Sequence, residues 1–142
     1  MILLDTDHLT LLKYLESERC QHLREKLVAS PDQNIGTTVI NVEEQMRGWL
    51  AAIARERRTA RQIPAYRELA GLFRFFNKFH VVTFDQSASE QFESLRAGKV
   101  RIGTMDLKIA AIVLANNALL LTANTSDFSL VPGLRIENWI DD

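Results

Sequence analysis

The sequence predicts an α/β fold: a three-layer sandwich with helices on both sides of a mostly parallel central sheet. Short apolar runs alternate with longer segments of helical periodicity along the chain, and the runs are continuous rather than alternating, which is typical of strands buried on both faces. With 142 residues and 46% hydrophobic side chains, the chain can bury a substantial core but is short for two full-sized domains. We therefore predict one domain over residues 1–142.

Five apolar segments are the predicted strands. They cover residues 1–4, 34–37, 80–84, 118–122 and 134–137. The first of them ends directly at Asp5, so the side chain of Asp5 is expected at the carboxyl edge of the sheet.

Segments with helical spacing of apolar residues separate these strands. In the first, Asp7 is predicted to cap a helix that carries Leu9, Leu12 and Leu15. Further helices are predicted over residues 17–29, 38–58, 60–79, 86–97 and 104–117, with one helical turn at 126–130. The helix at 104–117 is apolar almost all round, which predicts a central position.

Composition excludes several classes of protein. No apolar run approaches the length of a membrane span, and Asp5 and Asp7 interrupt the N-terminus where a secretory signal would be apolar, so we expect a soluble protein. A single cysteine, Cys20, fits a reducing compartment, which predicts the cytoplasm. There is no glycine-rich phosphate loop, and His8, His22 and His80 lack metal-ligand spacing.

Basic residues are concentrated between residues 47 and 78, although the formal net charge is only −1. That segment has an excess of six positive charges on predicted helices, so it could form a face that attracts phosphates, with Arg47, Arg55 and Arg58 as candidates. The alternative is a solvated outer face of a helix pair. Apolar residues on the same helices offer a surface for a partner helix; among them are Trp49, Leu72, Phe73 and Phe76.

Four carboxylates occupy strand ends or the first two turns of predicted helices. They are Asp5, Glu44, Asp106 and Asp127. The carboxyl ends of parallel strands meet at the edge where α/β folds bind ligands, so these side chains are expected to converge. Because four negative charges would repel each other there, we expect the site to bind a cation such as Mg²⁺ or Mn²⁺.

Each carboxylate also has a simpler explanation: Asp5 could cap the helix that follows it, and Glu44 could be an ordinary solvent-facing glutamate. Asp106 and Asp127 lie in first helical turns, where the helix dipole favours an acid without any function. Asp7 could be a cap, a partner of a ligand or an outer ligand. Glu44 lies four residues after the core residue Ile40, whereas Glu43 is turned by about 100° and is expected to face solvent.

Four motifs resemble those of PIN-domain ribonucleases, and within them the VapC toxins of bacterial toxin–antitoxin pairs. They are Leu-Leu-Asp-Thr-Asp at 3–7, residues 38–48, residues 102–111, and residues 122–128 followed by Val-Pro-Gly-Leu at 131–134. Asp7 stands where asparagine is more usual, and Thr104 and Met105 depart from the commoner residues, but all four acids are present.

The resemblance implies a PIN-like fold, Mg²⁺ or Mn²⁺ dependence, cleavage of structured RNA, a homodimer and inhibition by a VapB-type antitoxin. It implies that the four acids form the pocket, with Thr6, Thr122 and Asn124 helping to hold ligands or substrate. Two other classes stay open. One is a phosphatase of the haloacid dehalogenase type with Asp5 as nucleophile and Asp7 as general acid; the other is a catalytically silent module that binds RNA or a partner.

Overall fold

The structure, a computed structural model, describes residues 1–13 and 17–141, so the predicted helical residue Leu15 lies outside the described residues. Strands and helices alternate as the sequence predicted. In chain order they are β1 (Ile2–Leu4), α1 (Thr6–Leu12), α2 (Glu18–Ala29), β2 (Ile35–Thr38), α3 (Val39–Arg55), α4 (Thr59–Phe76), β3 (His80–Val82), α5 (Gln86–Ala97), α6 (Thr104–Ala115), β4 (Leu119–Leu121), α7 (Thr125–Phe128) and β5 (Arg135–Glu137).

The strands form one parallel sheet in the order β3-β2-β1-β4-β5. The predicted three-layer α/β class is confirmed, and every strand pair in this sheet is parallel. Because the order runs outward in both directions from β1, the connections reverse between β1 and β4. In open α/β sheets, ligands bind outside the carboxyl ends of the strands at such a reversal.

The sheet separates two apolar clusters, as expected for strands with a period of two. Leu3 and Leu120 contribute to the cluster under α5 and α6, while Leu4 and Leu121 contribute to the cluster under α1, α2 and α4. Helix α6 contributes more buried residues to the first cluster than α5 does, and its Ile109 is fully buried. Its central position was predicted from its apolar sequence.

Two predictions about side-chain position are wrong. Leu72 and Phe76 are only 4% and 7% exposed and pack in the core, so they offer no surface to a partner, whereas Phe73 is 67% exposed. Asp7 does not cap α1; Asp5 occupies the N-cap position and Asp7 lies inside the first turn. The reason is that the helix begins one residue after Asp5, directly at the strand end.

No helix in the part of the chain that the structure describes is long and apolar enough to cross a membrane.

Candidate functional site

The N-terminal turns of four helices position the four predicted acids. Asp5 is the N-cap of α1, Glu44 lies in the second turn of α3, and Asp106 and Asp127 each lie in a first turn, of α6 and α7. Helices α1, α3 and α7 begin where β1, β2 and β4 end, so their first turns share the carboxyl edge of the sheet. The acidic group therefore sits at the edge beside the β1–β4 reversal.

Asp5 is the most firmly held of the four acids. It is 7% exposed, and its Oδ1 accepts a hydrogen bond from Asn41 Nδ2 at 2.9 Å while its Oδ2 accepts one from Thr122 Oγ1 at 2.8 Å. Burial raises the pKa of Asp5, since the lost hydration outweighs these hydrogen bonds, which act in the opposite direction. The carboxylate is thus fixed in place at an electrostatic cost.

Asn41 is the residue of this network that the sequence analysis missed. Its Oδ1 accepts from Thr38 Oγ1 at 2.7 Å, and its Nδ2 donates to Asp5 and also to Thr6 Oγ1 at 3.2 Å. The side chain is fully buried and all its polar atoms are bonded. A signal was present in the sequence: Asn41 stands three residues after the N-cap Thr38, next to the core residue Ile40.

The surroundings of Glu44 disfavour its negative charge. Burial, followed by the charges of Asp5 and Asp106, raises the pKa of Glu44 to about 7. Its Oε1 is buried and has no hydrogen-bond partner among the residues that the structure describes. Its neighbour Glu43 behaves differently, because the Glu43 carboxylate pairs with Arg47 Nη2 at 2.5 Å on the outer side of α3.

Asp106 and Asp127 complete the group. Burial, followed by the charges of Asp5 and Asp127, raises the pKa of Asp106. Asp127 Oδ2 accepts a hydrogen bond from Asn124 Nδ2 at 3.2 Å. Asn124 in turn donates its backbone N–H to Thr122 Oγ1, so Thr122 connects the Asp5 side of the site to the Asp127 side.

Asp7 lies beside this group but is bonded to protein donors. Its Oδ1 accepts from the backbone N–H and ring Nδ1 of His8, and its Oδ2 accepts from the backbone N–H of Ala123 at 2.8 Å. Burial acts to raise the pKa of Asp7, but the hydrogen bonds from His8 and Ala123 outweigh it, and the net pKa is lowered. The pKa of Asp7 is therefore shifted in the opposite direction to the pKa values of Asp5, Glu44 and Asp106.

The candidate phosphate-binding arginines lie away from the acids. Arg55 and Arg58 are exposed at the C-terminal end of α3 and the start of α4. Arg55 lies eleven positions after Glu44 in the same helix, which is about 16 Å along the axis at the rise of an α-helix. Arg47 is closer but already pairs with Glu43.

The donor set at this edge fits a hard divalent cation. All four acids offer carboxylate oxygens, three of them have raised pKa values, and Glu44 Oε1 is a buried atom without a partner. As the side chains stand, no three His, Cys, Asp or Glu residues within the described ranges are arranged so that they could hold a metal ion. Ligation would thus require acidic side chains other than the fixed Asp5 to rotate toward the ion.

Comparisons with known proteins give one partial match in sequence and several matches in fold. No protein-family model matches the chain. A stretch of 69 residues is 32% identical to Ribonuclease VapC2 of Rickettsia felis; it covers 46% of this chain and only about half, 52%, of that protein.

Three solved structures share the fold. The matched chain of DNA-bound VapBC from Salmonella typhimurium has a TM-score of 0.74 at 24% identity, covering 97% of both chains. VapBC2 from Rickettsia felis bound to a DNA fragment from its promoter has a TM-score of 0.69 at 21% identity, covering 98% of this chain and 99% of the other. FitAcB from Neisseria gonorrhoeae has a TM-score of 0.67 at 19% identity, covering 98% of both. The predicted resemblance to VapC proteins is confirmed.

Proposed function

We propose that this protein is a metal-dependent endoribonuclease and the toxin of a type II toxin–antitoxin pair. The observation that carries the proposal is the convergence of Asp5, Glu44 and Asp106 at the sheet edge, with a buried Glu44 oxygen that lacks a partner. The partial match to a ribonuclease and the shared fold with VapBC structures support the same conclusion.

Asp5, Glu44, Asp106 and Asp127 would hold the Mg²⁺ or Mn²⁺ ion. Such an ion, when bound, lowers the pKa of a coordinated water and offsets negative charge that develops on the scissile phosphate. Attack of water on the phosphorus, with cleavage of the P–O3′ bond and protonation of the departing 3′-oxygen, would leave 5′-phosphate and 3′-hydroxyl ends without the ribose 2′-hydroxyl as nucleophile.

The residues of the chain prepare the site for this reaction. Asn41 and Thr122 hold both oxygens of Asp5 before substrate arrives, so the Asp5 carboxylate needs little reorganisation. Glu44, whose pKa is raised to about 7, would carry a proton on its carboxyl group below neutral pH, and a bound cation would favour the loss of that proton. Thr6 and Asn124 are placed beside Asp5 and Asp127 and are proposed to contact ligands or substrate.

The decisive experiment uses purified, antitoxin-free protein and a structured RNA. We expect cleavage to require Mg²⁺ or Mn²⁺, to stop in EDTA, and to fall by about 100-fold or more in Asp5→Asn and Asp106→Asn. Glu93→Gln is the control, because Glu93 is 67% exposed on α5. Cleavage near the wild-type rate in either aspartate variant, or in EDTA, would show that the assignment is wrong.

The proposed partner is a VapB-type antitoxin. We also propose that the toxin is a homodimer and that it is located in the cytoplasm.

Three apolar side chains of α4 and one of α3 are at least half exposed: Leu50, Ile63, Tyr66 and Phe73. Exposed apolar patches of this kind mark interaction surfaces. A co-expressed antitoxin should be lost on Phe73→Glu but retained on Leu130→Glu, a change at a similarly exposed leucine of another surface. Equal retention would exclude this patch.

A further inference from the structure

We infer that Asp7 is a positioning residue of the acidic site and not a metal ligand, and that it acts through a hydrogen-bonded relay with His8 and the backbone of Trp139. This inference rests on the proposed nuclease function. It assigns a role to residues outside the four acids.

The oxygens of Asp7 are already used by the protein. Oδ1 accepts two hydrogen bonds from His8, one from the backbone N–H at 2.7 Å and one involving ring Nδ1 at 2.5 Å. Oδ2 accepts the backbone N–H of Ala123 at 2.8 Å, and the hydroxyl of Thr122 lies 3.4 Å away. Each oxygen of Asp5 accepts one side-chain hydrogen bond, whereas Asp7 Oδ1 accepts two and Glu44 Oε1 has no partner within the described residues. Two hydrogen bonds use both lone pairs of an oxygen, so a cation would have to displace a donor from Asp7 Oδ1.

The ring of His8 is held in one tautomer by its surroundings. The backbone N–H of Trp139 donates to His8 Nε2 at 3.1 Å, so Nε2 must be an acceptor and the proton must lie on Nδ1, facing Asp7. The His8 side chain is fully buried, and both ring nitrogens have partners. The relay therefore links the segment at Trp139 to helix α1 through a rigid buried ring.

The other end of the relay reaches the two sides of the acidic site. Ala123, bonded to Asp7, lies between Thr122, which holds Asp5, and Asn124, which holds Asp127. Moving the Ala123 peptide would displace both of these side chains together. Asp7 is thus placed to fix the distance between Asp5 and Asp127.

Two variants of His8 separate the halves of the relay. In His8→Gln, the side-chain amide can reach the Nε2 position and accept from Trp139, but the donor to Asp7 is lost. In His8→Asn, an amide N–H can take the Nδ1 position, while the acceptor for Trp139 is lost. His22→Gln is the matched control, because His22 is an exposed histidine on α2.

We expect His8→Gln to speed hydrogen exchange at the Ala123 amide by about tenfold and to lower kcat by a similar factor with KM nearly unchanged. His8→Asn should speed exchange at Trp139 more than at Ala123 and lower kcat less. Asp7→Asn should reproduce the His8→Gln pattern, and its Mn²⁺ affinity by calorimetry should fall much less than that of Asp5→Asn.

Some outcomes would overturn the inference. They are wild-type exchange at Ala123 in His8→Gln, or a loss of Mn²⁺ affinity in Asp7→Asn equal to that in Asp5→Asn. Should the variants not fold, ¹⁵N NMR of wild-type His8 decides, since a protonated Nε2 contradicts the relay. If wild-type protein cleaves no RNA, the function fails, while the exchange and tautomer measurements still test the relay.

Discussion

Glu43 and Glu44 are adjacent in sequence and opposite in environment. Glu43 pairs with Arg47 on the outer side of α3, whereas Glu44 has a buried oxygen without a partner and faces the charges of Asp5 and Asp106. We predict that Glu44→Gln lowers kcat/KM for metal-dependent RNA cleavage by about 100-fold, while Glu43→Gln changes it less than about threefold. Steady-state kinetics at saturating Mn²⁺ measure both. Similar losses in the two variants would mean that Glu44 has no special role in the site.

The raised pKa of Glu44 makes the stability of the metal-free protein depend on pH. In the folded state the pKa is about 7, against an ordinary value of 4.5, so the folded protein binds this proton more tightly than the unfolded chain does. The stabilising contribution is complete below the unfolded pKa and is lost as pH rises through the folded one. Burial raises the pKa values of Asp5 and Asp106 in the same direction.

We therefore predict that the free energy of unfolding in EDTA decreases between about pH 5 and pH 8, and that Glu44→Gln flattens this decrease. Urea unfolding at several pH values measures it, with Glu43→Gln as the control. A wild-type stability that rises over this range would contradict the electrostatic description of the site.

The sequence was sufficient to nominate the acids but not the groups that hold them. Strand ends and first helical turns are visible as patterns, and they place Asp5, Asp106 and Asp127 at one edge. Asn41 was not nominated, because its position three residues after Thr38 marks a helix start but does not show that its side-chain amide binds Asp5. For Asp7, the capping prediction failed because Asp5 itself begins the helix.

At the scale of elements, strand β2 depends on a close approach to its neighbour, the edge strand β3. Gly36 in β2 pairs with His80 of β3, and a Cβ atom built on Gly36 would lie 2.1 Å from the backbone carbonyl oxygen of His80. Backbone cannot move aside as a flexible side chain can. The separation of β2 from β3 is thus limited to what glycine allows.

We predict that Gly36→Ala destabilises the protein by about 2 kcal/mol or more, because the added methyl group forces the two strands apart. Gly48→Ala is the matched control: nothing lies within 4 Å of a Cβ at this exposed position inside α3, and it should stabilise by about 0.5–1 kcal/mol. Urea unfolding of both variants provides the measurement. A Gly36→Ala protein as stable as wild type would show that the strand spacing is not limiting.

Element type was predictable here because apolar runs and helical spacing differ clearly, and α5 was predicted with the bounds it has, residues 86–97. Helix ends were less predictable. Asn117 adopts a left-handed φ of +49° just after α6, which ends that helix, and no apolar pattern marks this. The assignment of Leu72 and Phe76 to a docking surface failed because helical spacing gives a stripe of residues but not the direction in which the sheet lies.

At the scale of the whole molecule, charge is separated between the two ends of α3. The acidic group lies at its N-terminal end, and exposed basic side chains lie at its C-terminal end and along α4, although the net charge is close to neutral. If RNA binds at the acidic edge, we therefore expect the basic side chains to contact phosphates several nucleotides away from the phosphodiester bond that is cleaved. This separates binding from cleavage in a way that can be measured.

We predict that the double change Arg55→Ala and Arg58→Ala weakens RNA binding and reduces the slope of log affinity against log salt by about 1–2, because two phosphate contacts are lost. Binding is measured by fluorescence anisotropy in the Asp5→Asn background, so that cleavage does not interfere. When Asp5 is kept, the double arginine variant should cleave saturating RNA at nearly the wild-type rate.

The control for this prediction is Arg96→Ala, since Arg96 is an exposed arginine on α5, which covers the opposite face of the sheet. It should leave the salt slope unchanged. If the double variant keeps the wild-type slope, the basic residues at the end of α3 form only a solvated surface, and RNA must reach the acidic edge by a path that does not cross them.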